Sequence, residues 1–287
     1  MISVAAYHHL GDSLCLMCAI ANARKALPDA DIRYFGDYGE ILAGTDIPRT
    51  DQHPQIRCHY KDFGDSEQTA SAGNLCSGLT LSLARHLKAQ IPFVVKAPPV
   101  TLQSNESHML PGAVLVNTNC QMNSTTKGYP WWSEVLEGLS GTVVLVGGRE
   151  TRDIRTDFKY IPSNVIDLRG KTGVRELFRL VAGASCVISP PSGIVHLSAG
   201  FCVPCVVLSG AREPAALTTY CNTTHLMSKC PMDDKLDGFR GCVAFRVGQN
   251  EGCKCVVNKG SRNYAGCMAS IAPDDVLMAV TEILRQG

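Results

Sequence analysis

The chain predicts an α/β protein built from two facing parallel-sheet domains, with a cysteine-rich insertion near its C-terminus. Three observations carry this. Short apolar runs alternate with helix-like stretches over most of the 287 residues, the pattern of strands joined by crossover helices. A stretch at 98–112 holding Pro98-Pro99, Gln103-Ser104-Asn105 and Pro111-Gly112 separates two such sets. Five cysteines then crowd into a Gly-rich segment of weak periodicity. The expected division is residues 1–111 and 112–287, the second including the insertion at 228–269 and a closing helix at 274–285.

Each element follows from its residues. Ile2–Tyr7 is apolar and reads as a buried strand. His8-His9-Leu10-Gly11-Asp12 is a turn, and Ser13–Leu27 a helix with Leu14, Met17, Cys18, Ala21 and Ala26 on its apolar face. Pro28-Asp29 ends that helix and Ile32–Phe35 begins the next strand. Strand-helix units continue to about Val95. After the linker, strands are expected at Ala113–Asn117, Val143–Val146, Val165–Leu168, Cys186–Ser189 and Pro204–Leu208. Helices are expected at Trp131–Leu139, Thr151–Asp157 and Val174–Ala184. Asp274–Arg285 puts Val276, Leu277, Val280, Ile283 and Leu284 on one face after Pro273. Both sets are therefore Rossmann-like.

Two turns carry chemistry. Pro190-Pro191-Ser192-Gly193 joins a strand to a small-residue helix starting at Ile194. A Ser-Gly pair there leaves the first backbone N–H groups (Ser192, Gly193, Ile194, Val195) and the positive helix end open to a phosphate. The same residues also suit an ordinary β-turn-α connection. Asp12 stands at the C-terminal edge of a first parallel strand, where open α/β sheets place their chemistry. It equally suits a helix N-cap, and the two roles are compatible.

Composition bounds the partners. A net charge of +1 gives no overall case for nucleic acid or an anionic membrane. No apolar run of about 18 residues occurs, and Met1–Tyr7 enters a strand without a charged leader, so a cytoplasmic protein without integral membrane association is expected. The 14 cysteines are not expected to form a disulfide framework in that compartment. Cys15, Cys18, Cys186, Cys202 and Cys205 have apolar neighbours and read as core residues. Cys230, Cys242, Cys253, Cys255 and Cys267 do not. Their loop buries little apolar surface and needs a staple, which four of the five could supply by holding structural zinc or iron. Their spacing is not the paired C-x-x-C of a zinc ribbon, and free thiols or disulfides stay open.

Five segments, in order, resemble glycosyltransferase family 9, whose best-known members are ADP-heptose–lipopolysaccharide heptosyltransferases. Gly11-Asp12 with Arg24–Ala30 (RKALPDA) matches the family's first turn and helix end. Lys127-Gly128-Tyr129-Pro130-Trp131-Trp132 matches its lysine before an aromatic-Pro helix start. Gly147-Gly148-Arg149-Glu150 matches a Gly-Gly turn, Gly170–Leu177 a G-x-T-x-x-E-L segment, and Ser192–Leu197 its S-G-x-x-H-L. The cover is good over 7–36 and 113–210.

The resemblance implies a GT-B fold and inverting transfer from a nucleotide diphosphate sugar, with an ADP-heptose-like donor favoured and no catalytic metal. It makes Asp12 the general base for an acceptor hydroxyl. Lys127 and the 192–197 helix start then stabilise the leaving diphosphate. A solvated lysine is the ordinary alternative for Lys127, and a packed helix residue for His196, otherwise a phosphate donor. Glu150 suits the nucleotide ribose or a surface helix start. His8 and His9, beside Gly11, lie on the acceptor side. One branch of the family, which glycosylates autotransporters, carries a cysteine-bound iron in the place of the insertion.

Two departures stand out. Pro191 occupies a position where the family usually has an acidic residue contacting the donor sugar. The 39–111 region is also short, so the acceptor is expected to differ from a lipopolysaccharide core: a glycan, a protein, a modified DNA base or a small molecule. Oligomerisation is compatible with the sequence. The alternatives are a nucleotide-sugar epimerase or hydrolase of GT-B type, and a non-catalytic nucleotide-sugar-binding assembly module.

Overall fold

The computed structural model describes residues 1–6, 9–59, 73–118, 127–148, 161–210, 214–230, 233–237, 256–259 and 262–286. The first strand β1 (Ile2–Ala5) lies between β2 (Ile32–Tyr34) and β3 (Ile56–Arg57), all parallel. Helix α1 (Leu10–Ala26) crosses from β1 to β2 and packs on α2 (Leu75–Leu87). Every residue from Ser13 to Ile20 is buried. The expected one-sided apolar face is therefore too narrow, because α1 is enclosed by its sheet and by helices on other sides. Ala21 and Ala26, placed on that face, are only half-buried.

Beyond α2, the segment at 91–102 has no sheet partner. Buried Asn22 of α1 ties it down, accepting from Val94 N at 3.1 Å and Val95 N at 2.7 Å. Its Nδ2 group donates to the Val95 carbonyl at 3.0 Å.

The second sheet has six parallel strands: β4 (Val114–Asn117), β5 (Val143–Val146), β6 (Val165–Asp167), β7 (Cys186–Ser189), β8 (Cys205–Ser209) and β9 (Thr223–Met227). Their order is β6-β5-β4-β7-β8-β9. The chain works outward from β4 to one edge, then returns to β7 and works outward to the other. This is the doubly wound Rossmann order, with its crevice where β4 and β7 diverge. The four central strands are buried on both faces, as parallel strands between helix layers must be.

Period-two alternation divides them. Leu115, Val144, Val146, Val187 and Val207 share one core with β1, α1 and α2. Val114, Val116, Leu145, Ile188 and Leu208 face α3 (Trp132–Gly138) and the closing helix α4 (Pro273–Gln286). The first of these cores runs without a break through both sheets.

Two further helices cover the inner face: α5 (Val174–Gly183) and α6 (Gly193–Gly200). Cys202, expected in the core, is exposed. It follows α6 with φ of 56°, so the chain turns through a left-handed residue there and the side chain leaves the interior. Cys15, Cys18, Cys186 and Cys205 are buried as expected. The insertion contributes β10 (Lys229–Cys230) paired with β11 (Asp233–Asp237), and β12 (Val256–Lys259) paired with β13 (Arg262–Ala265). The helix expected at Thr151–Asp157 lies outside the described residues.

The linker is strapped to α5. Arg175 donates from Nε to Glu106 Oε1 at 2.9 Å and from Nη2 to the Thr101 carbonyl at 3.0 Å, above the Phe178 ring. Glu106 also accepts from Gln103 N at 2.8 Å. The Arg175 guanidinium holds the Glu106 carboxyl down, from an ordinary value of 4.5 to about 2. A depressed carboxyl contributes stability that is complete above its unfolded value and lost as pH falls through the folded one. Acid titration of the folded protein, followed by circular dichroism, is therefore expected to show a stability loss between about 4.5 and about 2. Glu106→Gln should make stability in that window less pH-dependent.

Candidate functional site

The crevice between β4 and β7 is built from short polar side chains. Ser189 ends β7 fully buried, and Asn117 ends β4 nearly so. Pro190-Pro191 cannot continue the ladder, and Ser192 is extended at φ −163°, ψ 174° as the N-cap of α6. The helix starts at Gly193, one residue before the expected Ile194. Ser192 does not spend its side chain on the cap. Its Oγ lies 3.0 Å from Asn117 Nδ2 and 2.8 Å from Ser189 Oγ. Gly193, Ile194 and Val195 form the first turn of α6. Lys127 reaches the same turn from the other side, donating from Nζ to the Pro191 carbonyl at 3.1 Å.

The start of α1 meets the start of α6. A Cβ built on Gly11 would stand 3.2 Å from Gly193 Cα and 3.2 Å from His196 Cδ2. One built on Gly193 would stand 3.1 Å from Gly11 N. Two helix termini thus approach backbone to backbone, which only glycine at both positions allows without displacement. Asp12 follows Gly11 in the first turn of α1, half-buried. It is not the N-cap: the helix begins earlier, at Leu10, with extended His9 at the cap position. A carboxylate in the first turn still meets the positive helix end.

His196 is buried, with Nδ1 2.7 Å from the Tyr220 hydroxyl. The same hydroxyl lies 3.4 Å from Cys76 Sγ and 3.8 Å from Cys15 Sγ. Burial pushes the Tyr220 hydroxyl and the Cys15 thiol well up, so both stay protonated. His196 therefore packs into the seam between α1, α2 and α6. Below the start of α1, Ser13, Phe35, Asp37 and Arg57 line a small cleft at the C-terminal ends of β1–β3.

The Lys127 turn is braced by the far end of the insertion. Tyr129 Oη donates to the Ile271 carbonyl at 3.0 Å, and Trp131 Nε1 to the Ala269 carbonyl at 2.8 Å. Lys259 of β12 lies over the Trp131 ring at 4.0 Å and donates to the Pro130 carbonyl at 2.7 Å. His8, Glu150, Cys242, Cys253 and Cys255 lie outside the described residues, and of Cys230 only the backbone is described. Cys267 is buried in the outer core beside Met268. Among the described residues, no three His, Cys, Asp or Glu side chains are grouped to hold a metal.

Asp12, Gly11, His9, Lys127, Ser192–Val195 and His196 thus gather around two helix starts. Asn117, Ser189 and Tyr220 were missed. Asn117 and Ser189 end strands that the sequence does identify, and a strand's last polar residue at a sheet's crevice is a usable signal.

The comparisons agree with the resemblance read from the motifs. Residues 101–235 match the model of glycosyltransferase family 9 (heptosyltransferase). The fold is similar to that of E. coli ADP-heptose lps heptosyltransferase II, with TM-score 0.62 and 11% identity over 100% of this chain and 99% of that one. It is also similar to the iron-containing dodecameric glycosyltransferase TibC of enterotoxigenic E. coli H10407, with TM-score 0.66 and 18% identity over 99% of this chain and 76% of that one. E. coli heptosyltransferase WaaC, solved with ADP-2-deoxy-2-fluoro heptose, gives TM-score 0.58 and 14% identity over 98% and 99%. No curated protein sequence matches. The architecture is GT-B, two facing Rossmann-like halves.

The contact between helix starts yields one prediction independent of chemistry. Gly11→Val drives a branched side chain into Gly193 and His196, and overpacking of this kind costs about 1–3 kcal/mol. Chemical denaturation should show a lower midpoint for Gly11→Val than for a valine at Gly112, where a Cβ meets nothing within 4 Å, although the latter carries the strain of φ 79°.

Proposed function

We propose that this family 9-like chain is an inverting glycosyltransferase, moving a sugar from a nucleotide diphosphate sugar to an acceptor hydroxyl. The observation that carries the reading is the Gly11–Gly193 contact, which sets a first-turn carboxylate beside an open helix start at the sheet crevice. The fold neighbours support a nucleotide-sugar donor, since one TibC structure is a complex with ADP-D-beta-D-heptose. An ADP-heptose-like donor is accordingly favoured.

Asp12 takes the proton of the acceptor hydroxyl as its oxygen attacks the anomeric carbon. The bond from that carbon to the diphosphate oxygen breaks on the opposite face, inverting the centre. Charge then develops on the diphosphate. The N–H groups of Gly193 and Ile194, Ser192 at the cap position and Lys127 answer it in place, whereas the Val195 N–H already donates to the Ser192 carbonyl at 3.1 Å. Lys127 is within reach because its ammonium already rests on the Pro191 carbonyl. Residues 1–111, with His8, His9 and the cleft below α1, take the acceptor side; residues 112–287, with Glu150 at the ribose, take the donor side. The insertion is assigned structural zinc or iron, held by four of Cys230, Cys242, Cys253, Cys255 and Cys267. The similarity in fold to TibC, an iron-containing glycosyltransferase, supports that assignment. Location in the cytoplasm is part of the same proposal; among the described residues, no helix is long and apolar enough to cross a membrane.

Asp12→Asn should fold and bind nucleoside diphosphate normally while turnover falls by about 10²–10⁴, the usual scale of general base catalysis. Near-normal transfer by folded Asp12→Asn protein would remove Asp12 from the chemistry. Gly193→Val should weaken nucleoside diphosphate binding, and binding by the unaltered chain should depend little on Mg²⁺. Strict Mg²⁺ dependence would replace the helix start by a metal bridge. Elemental analysis of chelator-free protein is expected to show about one zinc or iron per chain. Metal-free protein with five alkylatable thiols in the insertion and unchanged melting would leave that segment without a metal.

A further inference from the structure

Three thiols meet in the seam behind the two helix starts. Cys15 and Cys18 stand three residues apart on α1, and Cys76 lies in the first turn of α2, which packs on α1. All three are fully buried. The Tyr220 hydroxyl joins two of them, 3.4 Å from Cys76 Sγ and 3.8 Å from Cys15 Sγ. Its third neighbour is His196 Nδ1 at 2.7 Å. A phenol has one hydrogen to give. With that hydrogen on the imidazole, the Cys76 thiol donates to the Tyr220 oxygen. The Cys76 proton can then pass to that oxygen while the Tyr220 proton passes to Nδ1. The result is a thiolate and an imidazolium, with the phenol still protonated between them. The seam gains no net charge, which spares the cost of ionising a buried thiol alone.

Burial alone would push the Cys76 thiol up, yet its hydrogen-bonding neighbours Cys15, Cys18 and Tyr220, with His196 close by, hold it well below the ordinary thiol range. Burial pushes Cys15 and Cys18 up, and Asp12 acts on Cys15 in the same direction. Cys76 is therefore the sulfur that ionises. We propose that Cys76 and Cys15 form a redox site: a hydroperoxide oxidises Cys76, and Cys15 then closes a disulfide between α2 and α1. The Cys76 thiolate attacks one oxygen of hydrogen peroxide, the O–O bond breaks, and the departing hydroxide takes the imidazolium proton as water. The Cys15 sulfur attacks the resulting sulfenic sulfur, the S–O bond breaks, and the Cys15 proton leaves with that hydroxide as a second water. Two thiols and one peroxide become one disulfide and two waters. Cys15 is the partner because it shares the Tyr220 hydroxyl with Cys76. The bond ties α1 to α2 within one helical turn of Asp12. In a reducing compartment such a bond is transient.

The test is timed exposure of the intact chain to hydrogen peroxide, then unfolding, alkylation and peptide mapping by mass spectrometry. Exposed Cys202 and Cys221 report the rate of open thiols in the same sample. The peptides carrying Cys15 and Cys76 should appear linked and lighter by two hydrogens, and dithiothreitol should separate them. Both sulfurs are closed to solvent, so a small oxidant admitted by local opening reacts, whereas oxidised glutathione should leave the pair unlinked. From about pH 6 to about pH 8 the linkage rate of the unaltered chain should stay nearly constant, because the proton moves within the relay and not to solvent. Tyr220→Phe breaks the relay and should slow linkage about 100-fold at neutral pH, the scale of a lost general base, with a rate that climbs about tenfold per pH unit. Full oxidation of Cys202 and Cys221 with Cys15 and Cys76 still alkylatable would overturn the proposal. So would Cys76 linked to Cys18 or to another cysteine, or an unaltered chain whose rate climbs with pH. Should Tyr220→Phe not fold, the linkage map and the pH profile of the unaltered chain decide alone.

Discussion

The approach of Gly11 to Gly193 is the constraint on which the rest depends. Two helices that start on different sheets come within backbone contact, with no side chain between them. Helix starts repel each other electrostatically, since each carries partial positive charge. Their apposition is held by the buried core behind them, which runs unbroken from β1 through α1 to the inner face of the six-stranded sheet. What the arrangement leaves is a concentrated positive field with a carboxylate at its margin. The side chains of Asn117, Ser189 and Ser192 bond to one another at the crevice beside it.

Much of this was legible in the sequence. Strand and helix order followed from apolar runs and their punctuation by Pro and Gly, and the five motif segments fell in the right order. Asp12 was legible as a residue but not as a position. The helix extends back through Gly11 to Leu10, so the last three residues expected in the turn form its first turn. The apolar face of α1 was drawn too narrow because enclosure on several sides is a tertiary fact. Cys202 was placed in the core by its apolar neighbours, whereas a left-handed turn after α6 carries it outward. Asn117 and Ser189 were invisible as a pair because sheet order, not sequence distance, makes them neighbours.

The cysteine-rich insertion is less isolated than its composition suggests. Lys259 sits on Trp131 and on the Pro130 carbonyl, and the Trp131 indole is bonded to the Ala269 carbonyl just beyond β13. The lysine that rests on Pro191 is four residues upstream of that tryptophan. A change in the hairpin is therefore mechanically close to the Pro191–Gly193 turn, although the two are far apart in the chain.

The strapping of the linker has a kinematic meaning. Besides the Arg175–Glu106 pair, Met109 N donates to the Arg179 carbonyl at 3.0 Å, Gly112 N to the Gly183 carbonyl at 2.8 Å, and Arg179 Nε to the Ser107 carbonyl at 2.8 Å. From Thr101 to Gly112 the connecting chain is thus lashed along α5 and travels with the six-stranded sheet as part of one body. A swivel between the two halves finds no play in that stretch. Its axis would be displaced toward Pro98–Val100, which passes so close to Gly200 that a Cβ built there would strike the Pro98 carbonyl and the Val100 side chain. The Pro-rich sequence that marks the linker therefore marks a bearing at one end rather than a loose tether along its length.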